Sequence, residues 1–166
     1  MIRSLLAIPL LAALAAASPA RAAAPAKSAS PFQLALVNPV QIVPEGQGVE
    51  GVRLSLLYGK NTNVTGFDWS FIATHTTGSF KGVQLALVNV VEKDALGLQW
   101  AAVNLTGGLV HGAQLGFFNK ATRVEGLQLG FVNYAGTIHG LQLGLVNIIE
   151  KGGWLPVMVI VNGNFG

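Results

Sequence analysis

The residues of this chain with the widest chemical range are its three histidines. His111 and His139 each stand immediately before the glycine that opens a recurring phrase, and Glu125 holds the same place in the phrase between them. Imidazole and carboxylate are both metal ligands, so this column could form a metal or anion-responsive patch. If equivalent positions stack at one strand spacing, the two imidazoles lie about 9.6 Å apart. Zinc-type bonds of about 2 Å cannot bridge that gap. With Lys81 in the same column, the residues read instead as a solvated edge of alternating charge.

His75 lies in the polar stretch THTTGS, near Thr74, Thr76 and Ser79. Nucleophilic catalysis would need an activated nucleophile and an acid that orients the base, and the sequence shows neither a Gly-x-Ser-x-Gly elbow nor paired carboxylates beside it. His75 therefore reads as a polar loop residue. The glycines match no phosphate-binding loop or dinucleotide fingerprint, because they open strands or bends rather than helices. Asn63-Val-Thr65 and Asn104-Leu-Thr106 match a glycosylation acceptor pattern. Trp69 and Trp100 could stack on carbohydrate, but both fall in a column expected to face inward. Trp154 opens the final segment and could cover the last repeat. No catalytic, cofactor-binding or metal-binding set is assigned, and the chain is expected not to be an enzyme.

The elements that position these residues are repeats. GVQLALVN begins at Gly82, GLQWAAVN at Gly97, GAQLGFFN at Gly112, GLQLGFVN at Gly126 and GLQLGLVN at Gly140, at spacings of 15, 15, 14 and 14 residues. An earlier copy starts at Phe32, and degenerate copies start at Gly51 and Gly66. Apolar residues alternate with Gln84, Gln99, Gln114, Gln128 and Gln142, then with Ala or Gly, which is the period-2 pattern of a strand with one buried face. The expectation is that Leu and Trp face the core while the Gln column and the small residues form a flat outer surface. Asn89, Asn104, Asn119, Asn133 and Asn147 form a second polar column, with Asn38 and Asn162 as outlying members. Stacked amides satisfy one another, so this column predicts an Asn ladder at a bend.

Stacked coils and an up-and-down barrel would both give such strands. Three features favour a β-solenoid with parallel coils. A weak apolar echo follows each Asn, at Ala121 and Val124 and again at Ala135 and Ile138, as a second short strand requires. The Asn column gains from vertical stacking. The two odd members of the Gln column, Arg53 and Asp68, are opposite in charge and one copy apart. The alternative is an outer-membrane up-and-down β-barrel with Leu facing lipid, Phe165 near the C-terminus and a role as a pore or anchor. Its strands of about seven residues fall short of the roughly 9–11 needed to span. A solenoid of eight or nine coils would be about 40 Å long, with divergent ends as caps against edge-to-edge growth.

Residues 1–22 have the parts of an export signal: Arg3, an apolar run of 13 from Leu5 to Ala17, and a cleavage site at Ala20-Arg21-Ala22. Residues 23–30 read as a flexible joint, 31–81 as divergent capping repeats, 82–153 as the regular array and 154–166 as a C-terminal cap. There is no cysteine, so no disulfide framework. Formal charge is +3, but from Pro31 onward seven basic residues balance seven acidic ones. A neutral body lacks the concentrated cationic face that nucleic-acid binding needs, and that class is set aside.

The strings GVQLALVN, GLQLGFVN and GLQLGLVN resemble the tandem repeats of a family of bacterial predicted surface-repeat proteins. The resemblance runs from about Val52 to Phe165, with departures at Tyr58 and Ala73 where Asn would stand. It implies an exported protein at the cell surface, outer membrane or periplasm and carries over no activity; the structural or interaction role is what the rigid, neutral solenoid leads one to expect. The partner is an unidentified surface or protein, outer-membrane association is allowed, and no cofactor is implied.

Overall fold

A computed structural model describes residues 28–166; the expected export signal and most of the expected joint lie outside the described residues. The elements in chain order are β1 (Ser30–Val37), β2 (Val40–Gln41), β3 (Val49–Asn61), β4 (Val64–Ser70), β5 (Ala73–Thr76), β6 (Phe80–Leu85), β7 (Val88–Val91), β8 (Ala95–Trp100), β9 (Val103–Leu115), β10 (Phe118–Leu129), β11 (Val132–Lys151) and β12 (Val157–Asn164). The phrase-bearing strands stack parallel in the order β1, β3, β4, β6, β8, β9, β10, β11, one coil each. Equivalent residues lie side by side: Glu125 pairs with His139, Gly126 with Gly140 and Gln128 with Gln142. The second limb of each coil stacks too, through β3, β5, β7 and β9. The chain is a β-solenoid, and parallel in-register stacking rules out the up-and-down barrel.

The phrase glycines sit inside continuous strands, not at bends. Gly126 has φ 139°, and a Cβ there would lie 2.0 Å from the Gly112 carbonyl oxygen of the preceding coil. Only glycine tolerates that conformation and that approach together. The chain bends at the small residue four positions later, as at Ala86 between β6 and β7. The 15-residue coil that starts at Gly97 carries its extra residue at Gly107-Gly108, where pairing with β10 slips between Ala121 and Arg123.

Inside and outside are the reverse of the expected arrangement. Gln33, Gln84, Gln99, Gln114, Gln128 and Gln142 are fully buried, as are Asn89, Asn104, Asn119, Asn133 and Asn147. Trp100 is 61% exposed, Trp69 39% and Leu129 46%. The Gln column is therefore no flat outer surface, and the two tryptophans are not core residues. The apolar core is a narrow stack made by the weak echo: Val64, Phe80, Ala95, Val110, Val124 and Ile138 on one limb, with Val91, Ala121, Ala135 and Ile149 facing them. Burying an amide costs little when it is hydrogen-bonded, and stacking supplies each one with a neighbour of its own kind.

Both ends are closed by antiparallel chain. At the N-terminal end, residues 38–48 fold back: β2 pairs antiparallel with β1, and Val43 N–H donates to Gln33 Oε1 at 2.6 Å while Gln33 Nε2 donates to Val43 O at 3.3 Å. The capping there is done by that segment, while β3 and β4 are ordinary coils. At the other end β12 runs antiparallel along β11, with Ile160 at φ 70° beside a break in pairing between Gly144 and Asn147.

Candidate functional site

Two amide ladders run through the interior of the five regular coils. In the first, Gln142 Nε2 donates to Gln128 Oε1 at 2.7 Å, Gln128 to Gln114 at 2.7 Å, and Gln114 to Gln99 and Gln99 to Gln84 at 2.9 Å. Gln84 Nε2 donates onward to Asp68 Oδ2 at 2.9 Å. In the second, Asn89 Nδ2 donates to Asn104 Oδ1 at 2.9 Å, then Asn104 to Asn119 at 2.9 Å, Asn119 to Asn133 at 2.8 Å and Asn133 to Asn147 at 2.8 Å. The Gln donors point toward the N-terminal end and the Asn donors toward the C-terminal end. Backbone carbonyls fix those senses: Gln128 Nε2 also donates to Tyr134 O, and Asn119 Nδ2 to Leu129 O.

Asp68 anchors the Gln ladder. Its carboxylate accepts from Arg53 Nε at 2.7 Å and Nη2 at 2.6 Å, a fork-on-fork pair with both side chains fully buried. Arg53 also reaches the His75 carbonyl and Thr76 Oγ1. Gln142 Oε1, at the opposite end, is buried without a hydrogen-bond partner among the described residues. The outlying asparagines leave the column. Asn38 donates to Glu45, and Asn162 sits in β12 opposite Gln142. One-residue slips put Gly59 and Thr74 in the Asn column, with Thr74 Oγ1 donating to Asn89 Oδ1 at 3.0 Å.

His75 lies on β5 rather than in a loop. Its Nε2 is 2.9 Å from Glu92 Oε1 and its Nδ1 2.8 Å from the Tyr58 hydroxyl. The carboxylate only accepts, so Nε2 carries a proton, and in the neutral ring Nδ1 accepts from the Tyr58 hydroxyl. Burial raises the Tyr58 pKa and keeps that donor protonated. Sequence reasoning missed both partners, because they sit on neighbouring coils at separations of 17 residues in each direction. The available signal was the register, since His75 stacks between Lys60 and Val90.

His111, Glu125 and His139 do stack as neighbours. Glu125 Oε2 lies 3.2 Å from His111 Nδ1, and its Oε1 lies 2.6 Å from Arg123. The His111 hydrogen bond, with help from Arg123, holds the Glu125 carboxyl below the ordinary range. Among the described residues no group of three or more His, Asp or Glu is placed to hold a metal ion. Asn63 is exposed and accepts from Ser79 N–H, whereas Asn104 is sealed in its ladder.

One surface groove is strongly apolar. This groove, of about 1040 Å³, runs along the solenoid over the bend, walled on one side by Trp69, Leu85, Trp100, Leu129 and Leu143 and on the other by Phe71, Leu87, Phe117, Phe131 and Leu145. Ser70, Ala86, Ala101, Gly116, Gly130 and Gly144 form its floor. The Phe117 and Phe131 rings stack with centroids 5.1 Å apart. No protein family, curated protein or solved structure matches the chain.

Proposed function

We propose that this chain is an exported, non-catalytic surface-repeat protein whose working part is the apolar side of its solenoid, used as a structural or interaction surface. One observation carries the reading. The four outward positions of each coil (one, three, five and six after the glycine, or after Pro31 in the first coil) hold only Val, Leu, Ile, Phe, Trp and Ala in all eight coils, and none of these residues is buried. Monomeric soluble proteins rarely expose contiguous apolar patches beyond a few hundred Å², so a surface of this kind belongs against something.

The buried ion pair, the ladder amides and His75 are already engaged. Arg53 and Asp68 hold each other, the amides hold their ladders, and His75 is tied to Glu92 and Tyr58. The likeness of the phrases to bacterial surface-repeat proteins and the leader-like residues 1–22 support placement at the cell surface, outer membrane or periplasm. The test is cell fractionation of the chain carrying Phe117→Ser and Leu129→Ser. Loss of envelope association with an unchanged circular dichroism spectrum is expected. Association that persists undiminished overturns the reading.

A further inference from the structure

The apolar surface is not a plane. Gln114 Nε2 reaches the Lys120 carbonyl, and Gln128 Nε2 the Tyr134 carbonyl, six residues further along the same coil. The chain thus doubles back around its own amides, and the outward residues between those points lie on the outside of a turn. Stacking makes that turn a rounded edge about 34 Å long. The edge carries no formal charge, while Lys81, Lys93, Lys120, Arg123 and Glu150 all lie elsewhere around the coil.

Its backbone is also spoken for. Gly116 N–H donates to Leu129 O and Gly130 N–H to Leu143 O across the floor of the groove. A peptide laid in the groove would find no ladder to join and would bury its own amides unpaired. A second copy is a poor fit as well. Two rounded edges meet along a strip of about 34 by 10 Å, or roughly 340 Å², against about 800 Å² per partner in a stable dimer. A fluid hydrocarbon layer wraps the rounded edge and fills the shallow groove along it, makes no demand for hydrogen bonds and excludes charge.

We infer that the apolar edge embeds in one leaflet of a lipid bilayer, with the solenoid axis parallel to the membrane and the charged limb in water. This rests on the reading above and names its partner as lipid hydrocarbon. The contact is hydrophobic, because the mature charges balance and supply no attraction for anionic headgroups.

The experiment uses the full chain with net-neutral phosphatidylcholine vesicles and reads Trp100 alone in a Trp69→Phe, Trp154→Phe background. The chain is expected to co-float with vesicles to the same extent at about 0.1 and about 1 M salt. Brominated acyl chains are expected to quench Trp100. Leu87→Lys with Phe131→Lys should lower the bound fraction at least tenfold and abolish the quenching, at an unchanged urea midpoint. Because the leader is identical in every variant, the comparison isolates the edge. Unquenched Trp100, release by salt, or binding indifferent to the lysines overturns the inference. So does a vesicle-free dimer that shields Trp100, which would make a second copy the partner. If vesicles fail while envelope association still depends on Phe117 and Leu129, the lipid assignment falls and the interaction reading stands; if neither holds, both fall.

Discussion

Replacing the buried Gln128 with leucine should destabilise the solenoid, while replacing its exposed neighbour Leu129 with glutamine should not. Gln128 gives and receives three hydrogen bonds: to Gln114 Oε1 at 2.7 Å, to Tyr134 O at 3.2 Å and from Gln142 Nε2 at 2.7 Å. Losing the two ladder bonds costs about 2 kcal/mol, and orphaning Gln114 Oε1 adds about 1–3 kcal/mol. The leucine returns about 2 kcal/mol of apolar burial. The net loss is about 1–3 kcal/mol, or about 1 M in the urea midpoint at an m-value near 2 kcal/mol/M. Leu129 already leaves 46% of its surface in water, so Leu129→Gln should stay within about 0.5–1 kcal/mol. The assay is urea unfolding followed by far-ultraviolet circular dichroism and by tryptophan fluorescence, since repeat arrays do not always unfold in one step. A neutral or stabilised Gln128→Leu together with a Leu129→Gln loss above about 2 kcal/mol would refute the polar interior.

Removing one member of the buried ion pair, by Arg53→Gln or Asp68→Gln, should cost about 3–5 kcal/mol, and the double change should recover most of it by extending the Gln ladder; a double-mutant cycle in urea reads the coupling. Gly126→Ala should cost at least about 1–3 kcal/mol, seen in the same midpoint, because its Cβ meets the Gly112 carbonyl and its φ is left-handed. For Glu125, whose folded pKa is depressed, any linked stability is present above the unfolded value and fades as pH falls through the folded one. His111→Ala should move that titration up toward the ordinary carboxylate range, read by carboxyl-carbon nuclear magnetic resonance.

The stacking was legible because position along the phrase carries information between copies. Opposite charges at Arg53 and Asp68 make sense only side by side, and the structure pairs them in register. Which face is inside was not legible, because alternation defines two faces without ranking them. Leucine outranks glutamine when each side chain is weighed alone. It does not when every glutamine meets another one coil away. The small residues at Ala86, Ala101 and Gly116 were the better clue, since a turn this tight leaves no room inside for leucine. The partners of His75 escaped for the complementary reason: Tyr58 and Glu92 belong to different coils and share no place in the phrase.

The opposed senses of the two ladders bear on how such a chain can change length. Each further phrase adds one donor and one acceptor to either column, so a whole unit inserts without leaving an amide unanswered. The side-chain dipoles of the Gln column offset those of the Asn column coil by coil. A long array therefore accumulates no growing electrical polarity for its ends to absorb. Duplication or loss of a complete phrase is then a nearly neutral step for the fold, whereas a single inserted residue must be taken up at the far corner of a coil, as at Gly107-Gly108.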